Sequence, residues 1–319
     1  MERYPEIEPY ETGMMDTGDG NQICWEVSGN PQGTPVLVLH GGPGSGTTPG
    51  GRRNWDPAKY RIVQMDQRNC GHSRPLASDP SLDLSNNTTS HLIADIEQLR
   101  TLLSVDRWVL WGGSWGVTLG LAYAQQYPER VRAMILVSVT MTRPADVHWL
   151  AHEAGRFVPE QWHAFRDGVP EAERDGDLVA AYYQLLNQNG DLAVQKQAAL
   201  DWCLWEDAVL SLAPGFTPYK RFQDPDFRML FARLVTHYFH HAGWLAEDQL
   251  LRNAHKLAGI PGVLIHGWLD ISGPADVPWL LAQEWSEAQL HIVSEAGHQG
   301  SAKTTQLILE AAERFADAR

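Results

Sequence analysis

Four short apolar runs within the first 140 residues restrict this chain more than any other feature. TPVLVLH (34–40), YRIVQMD (60–66), RWVLWG (107–112) and VRAMILVSV (131–139) are each bounded by Gly, Pro or polar turns. Such near-continuous runs fit strands buried on both faces, as in parallel sheets, whereas a strand with one wet face alternates. Between them, TTSHLIADIEQLRTLL and WGVTLGLAYAQQYP repeat apolar residues at three- and four-residue spacing, and the second stops at Pro128. Strands alternating with amphipathic helices predict a parallel sheet with crossover helices.

The rhythm lapses from about 141 to 245, where helical patterns such as DLVAAYYQLLN and DFRMLFARLVTHYFHH are rich in Trp, Phe and Tyr and broken by Pro and Gly. It resumes in IPGVLIHGWLD (260–270) and AQLHIVSEAGH (288–298), and an amphipathic SAKTTQLILEAAERFADA closes the chain. This order predicts a mostly parallel, doubly wound α/β sheet built from 1–140 and 246–319, interrupted by a helical cap insertion at 141–245.

With 319 residues the chain is long enough to bury a large core without disulfides. Cys24, Cys70 and Cys203 form no C-x-x-C pair, so a zinc or redox motif is not indicated. The start, MERYPEIEPYETG, lacks the charged and apolar regions of a signal peptide, and no segment approaches a membrane span. A cytoplasmic setting is therefore expected. A formal charge of −14 disfavours nucleic acid and anionic membrane surfaces as partners. No nucleotide loop or metal-ligand spacing is present; His237, His240 and His241 have no carboxylate at such spacing, and no cofactor or metal is expected. Oligomeric state is not readable.

The chemistry centres on WVLWGGSWGV (108–117), where Gly112, Ser114 and Gly116 fit G-x-S-x-G between a strand and a helix. In α/β hydrolases this turn is the nucleophile elbow, which lifts a serine hydroxyl above the sheet edge. HGGPG (40–44) follows a strand directly. There a loop N–H near Gly41 and Gly42, with the N–H of Trp115 after the serine, would form an oxyanion hole. The acid and base should follow in that order. Asp270 and His298 both end strand-like segments, which brings them to the same sheet edge as Ser114. Asp276 and Glu295 are rival acids, less well aligned with a strand end. His298 would take the serine proton and Asp270 would hold its tautomer.

Together, HGGPG, MDQRNCGHSRP, NTTSHLIADIEQLR, GGSWGVTLGLAYAQQYPERV, HGWLD and EAGH resemble the blocks of the proline iminopeptidase family of α/β hydrolases, in order and over most of the chain. The resemblance implies Ser114, Asp270 and His298 as a catalytic triad, Gly42 and Trp115 as oxyanion donors, and a helical cap above them. It further implies Glu206 in WCLWE as a ligand of the substrate's free amine, with Trp205 and Phe239 beside the substrate. Departures accompany it. Val235 stands where the family carries a second amine-binding Glu, Asn69 replaces a Gly of the D-Q-R block, and Thr140 stands near the place of an aromatic. The expected activity is release of an N-terminal proline through an acyl-enzyme. The alternatives are a related esterase or amidase with no need for a free amine, motivated by Val235, and a non-catalytic binding protein on the same scaffold. Cys70 lies beside the D-Q-R turn.

Overall fold

In the computed structural model, which describes residues 2–316 apart from 189, eight strands form one sheet in the order β1-β2-β4-β3-β5-β6-β7-β8. The parallel strands are β3 (Thr34–Leu39), β4 (Tyr60–Met65), β5 (Trp108–Gly113), β6 (Val131–Val137), β7 (Gly262–Gly267) and β8 (Ala288–Val293), with β8 at one edge of the sheet. Each apolar run of the sequence lies on one of these strands, and from β3 to β7 most side chains are buried on both faces, whereas those of the edge strand β8 are mostly half-buried or exposed. On one face lie α1 (Thr89–Leu102), α2 (Trp115–Gln126) and α9 (Asp276–Glu284), and on the other α10 (Ala302–Phe315), so the sheet is doubly wound.

Two further strands precede these, β1 (Glu11–Asp16) and β2 (Gln22–Gly29), and they join the edge of the sheet antiparallel. The long-run criterion passes over them because they follow the other pattern: Ile23, Trp25 and Val27 are buried while Cys24 and Glu26 between them are half-exposed. Period-two alternation after the turn-forming GDGN was the available signal.

Between β6 and β7 run α3 (Pro144–Ala151), α4 (Pro159–Asp167), α5 (Leu178–Asn187), α6 (Leu192–Leu210), α7 (Pro225–His240) and the short α8 (Gln249–Arg252). Their aromatic residues bury one another. Phe165 stacks on Tyr182 at 4.6 Å and on Trp205 at 5.1 Å, and with Trp202, Leu178 and Val235 they form an apolar cluster separate from the two sheet faces. Side-chain oxygens of Asp177, Asp191 and Asp224 cap the N-termini of α5, α6 and α7, which sets where each helix begins. No helix among the described residues is long and apolar enough to cross a membrane.

Candidate active site

Ser114 sits between the last residue of β5 and the first of α2, with φ 55° and ψ −124°. A non-glycine residue in this region is strained, and the surroundings hold it there. Its N–H donates to Val137 O on the neighbouring strand, and its C=O accepts from Val117 N–H in the helix. The flanking glycines have a steric reason. A Cβ on Gly112 would lie 2.4 Å from Gly116 O, and one on Gly116 would lie 2.2 Å from Leu39 O. The turn can therefore be this tight only without side chains at both positions.

The HGGPG loop packs directly against that turn: a Cβ on Gly41 would meet Gly113 O at 2.9 Å. Gly42 has φ 109°, a conformation suited to glycine. The loop is held from behind by His40 and Gln67. His40 Nε2 accepts from the Gln67 backbone N–H at 3.0 Å, which leaves Nδ1 to carry the proton and donate to Gly41 O at 2.9 Å. Burial lowers the His40 pKa, so the ring works as a neutral strut. The Gln67 amide then donates to His40 O and accepts from the Trp115 indole N–H, both at 2.9 Å. Trp115 is the first residue of α2, so its backbone N–H has no intrahelical partner.

Asp270 follows β7 and His298 follows β8, and His298 Nδ1 lies 2.7 Å from Asp270 Oδ2. The other carboxylate oxygen accepts from Ser272 Oγ at 2.5 Å and from the Ser272 N–H at 3.1 Å. Burial opposes charge on both partners, but their attraction and shared bond prevail. The Asp270 pKa is lowered and the His298 pKa is raised. Ser138 Oγ, from the loop after β6, donates to His298 O at 2.7 Å and fixes the backbone of the histidine loop.

Ser114, Asp270 and His298 line one cavity of about 700 Å³, together with Gly42, Trp115, Glu206 and Phe239. Glu206 reaches it from α6. Burial raises its pKa to about 7, opposed by a 3.0 Å hydrogen bond from Trp202 Nε1 and by the nearby His298. The same proximity acts in return, since Glu206 contributes to raising the His298 pKa. Apolar side chains, among them Val147, Leu150, Phe222 and Phe231, line the same cavity.

Trp205 departs from the expectation of a substrate contact. One residue along an α-helix is a turn of roughly 100°, and while Glu206 and Leu210 face the cavity, Trp205 faces Phe165 and is 1% exposed. Val235 is likewise enclosed, at 0% exposed, in the apolar cluster of the helices. Asp146, the other carboxylate from the inserted helices that lines the cavity, is committed to Arg143, with 2.6 Å between Oδ1 and Nη2. The rivals lie elsewhere: Asp276 begins α9, and Glu295 is exposed beside Ser294 and Ser301.

Asn69 has φ 63°, a left-handed conformation that asparagine tolerates better than most residues, which explains how it stands in a glycine's place. Its side chain then bonds Asn21 Oδ1 and Pro75 O. Cys70 is fully buried and burial raises its thiol pKa, the opposite of a reactive environment. Cys24, Asp66 and His72 bring potential metal ligands within 4.8 Å of one another. The Asp66 carboxylate is already engaged by Thr47 N–H at 2.6 Å and His72 N–H at 2.7 Å, and so serves the turn. Gln67, Ser138 and Ser272 had no role assigned from sequence. Gln67 stands within MDQRNCGHSRP, and Ser272, two residues past an Asp that ends a strand, has the spacing of an Asx-turn.

Known proteins agree with this architecture. The sequence profile of the alpha/beta hydrolase fold matches residues 34–301. A probable proline iminopeptidase of Streptomyces coelicolor is 47% identical over 99% of this chain and 98% of its own length. The proline iminopeptidase of Arabidopsis thaliana is 41% identical over 93% of this chain and 77% of its own. Among solved structures, a proline iminopeptidase of Mycobacterium smegmatis superposes with TM-score 0.62 at 18% identity, covering 96% of this chain and 99% of its own. A bromoperoxidase of Bacillus anthracis superposes with TM-score 0.63 at 17% identity, covering 96% and 99%. At such identities these two structures speak for the fold alone.

Proposed function

Because this chain belongs to the proline iminopeptidase family of α/β hydrolases, we propose that it is a serine aminopeptidase releasing an N-terminal proline from short peptides and prolyl amides. The observation that carries this reading is a hydrogen-bonded Asp270–His298 pair sharing one cavity with the strained Ser114, while Glu206 borders the same space. Residues 141–245 act as the cap that brings Glu206 over the serine.

In this reading Ser114 Oγ attacks the prolyl carbonyl as His298 Nε2 takes its proton. Among the described residues no hydrogen bond joins Ser114 to His298, and such contacts commonly tighten only when substrate binds. The backbone N–H groups of Gly42 and Trp115 receive the negative charge of the tetrahedral intermediate, each worth about 2.7–4 kcal/mol in comparable sites. Asp270 keeps the imidazole in the tautomer that presents Nε2 and stabilises the imidazolium. His298 then gives the proton to the leaving amine, and water, activated by the same ring, releases proline from Ser114. Glu206, ionised, pairs with the protonated imino nitrogen and fixes the acyl group. Purified protein is expected to cleave proline β-naphthylamide, and Ser114→Ala to abolish the reaction; cleavage that survives the substitution would sink the reading. The acidic surface and unpaired cysteines suit a cytoplasmic enzyme.

A second reading, an esterase or amidase with no need for a free amine, is favoured by the apolar Val235 and by the neutralisation of Asp146. An uncharged acyl ester turned over much faster than the prolyl amide, at a rate indifferent to Glu206→Ala, would support it over the first.

A further inference from the structure

Ser272 stands between the two members of the acid–base pair and bonds both. Its Oγ lies 2.5 Å from Asp270 Oδ1 and 3.0 Å from His298 Nδ1, while Nδ1 itself lies 2.7 Å from Asp270 Oδ2. A hydroxyl has one proton to give and two lone pairs to accept with. Asp270, its pKa lowered, is ionised and only accepts, so the Ser272 proton goes to Oδ1. Toward His298 the oxygen can then only accept, and the Nδ1–H is shared between Oδ2 and Ser272 Oγ.

The turn itself does not need this hydroxyl. Asp270 Oδ1 also accepts from the backbone N–H groups of Ser272 at 3.1 Å and Gly273 at 3.3 Å, and any residue but proline would supply the first of these. One neighbouring loop, after β6, sets the hydroxyl against the imidazole. Ser138 Oγ donates to His298 O at 2.7 Å, and the next residue, Val139, donates its N–H to His266 Nδ1 at 3.0 Å. The His266 proton is therefore on Nε2, which donates to Gly273 O at 2.7 Å. Residues 138 and 139 thus hold both the histidine loop and the turn that carries Ser272. On its other side the His298 ring lacks such a guide, since among the described residues no hydrogen bond joins it to Ser114. A single acceptor at Nδ1 leaves the ring free to turn about the N–H···O line, and a second acceptor resists that turn.

We propose that Ser272 is a positioning residue for the hydrolytic reaction: its hydroxyl braces the Asp270 carboxylate and, as second acceptor of the Nδ1–H, keeps the His298 ring turned with Nε2 toward Ser114. The inference rests on the reading of this site as a serine hydrolase with Ser114, Asp270 and His298 as its triad.

Ser272→Ala deletes the hydroxyl and keeps the N–H. Its kcat on proline β-naphthylamide is expected to fall about tenfold, the scale of one hydrogen bond to a charged group, with KM and melting temperature unchanged. Ser272→Thr restores a hydroxyl and is expected to recover most of the rate. The proton resonance of the His298 Nδ1–H should move in the alanine variant. Added to Asp270→Asn, Ser272→Ala should cost less than about twofold, because groups acting through one imidazole are not additive. Labelling by a fluorophosphonate, which needs no prolyl group, should slow in Ser272→Ala in step with kcat. Full kcat and labelling in Ser272→Ala, an unmoved Nδ1–H resonance, or a further tenfold loss on top of Asp270→Asn overturns the proposal. The resonance and the double variant decide the matter even where threonine does not fit the space. Unaltered protein that is labelled but does not cleave the prolyl amide loses the aminopeptidase reading alone, whereas protein that is not labelled loses both.

Discussion

The indole N–H of Trp115 donates to Gln67 Oε1, and the amide of Gln67 donates to His40 O, each at 2.9 Å. One buried side chain thus ties the residue after the candidate nucleophile to the loop that faces it. If Trp115 and Gly42 supply the oxyanion donors, Gln67 sets the distance between them without touching substrate. Gln67→Leu should lower kcat by about 10²-fold, the scale of losing one oxyanion donor, and leave KM nearly unchanged. Steady-state kinetics on a prolyl amide tests this; a change confined to KM would argue against it.

The Asp270–His298 bond makes a separate prediction. Asp270→Asn keeps the volume but reverses what the side chain can offer to Nδ1, favouring the wrong tautomer. We expect kcat to fall by about 10⁴-fold, as in other hydrolases with such a pair, with the melting temperature little altered. Ser114→Ala should abolish labelling by a fluorophosphonate probe, whereas full labelling of that variant would move the nucleophile elsewhere.

Glu206 and His298 give the acid limb of the pH profile. Glu206, with a pKa of about 7, loses its charge as pH falls through neutrality, and with it the amine contact. His298, its pKa raised by Asp270, gains a proton as pH falls and ceases to be a base. Both changes act in the same direction, so log kcat/KM for an amine substrate should fall with a limiting slope of about 2. Glu206→Gln should reduce that slope to about 1 and raise KM. An unaltered slope in the variant would remove Glu206 from amine binding.

Arg68 and Asp95 predict an effect on stability. Both are almost fully buried, 3% and 1% exposed, and two hydrogen bonds of 2.7 and 2.8 Å join them. Asp95→Ala leaves the guanidinium partly uncompensated, although Asp19 still reaches it at 2.6 Å. A loss of about 3–5 kcal/mol is expected, read as a lower urea midpoint. A shift under about 1 kcal/mol would mean that Asp19 alone suffices.

The parallel strands β3 to β7 are legible because their burial on both faces writes itself as unbroken apolar runs, and the positions of Ser114, Asp270 and His298 follow from strand ends. The antiparallel strands β1 and β2 escape that criterion because a half-wet strand carries a weaker, alternating signal. Trp205 was misjudged as a substrate contact because a motif gives spacing along a helix, whereas its orientation depends on Phe165, a residue of another helix.

By itself the sequence determined which segments become the parallel strands, where the backbone must turn without side chains at Gly112 and Gly116, and the order in which serine, acid and base arrive. Those are local or periodic properties, set by sterics and by burial within a few neighbouring residues. Only the tertiary structure decided that Gln67 braces His40 against Trp115, that Glu206 from an inserted helix bears on His298, and that Val235 is sealed in the helical cluster. These depend on contacts between residues many turns of chain apart, and their distances are set by how the helices and loops pack over one sheet edge.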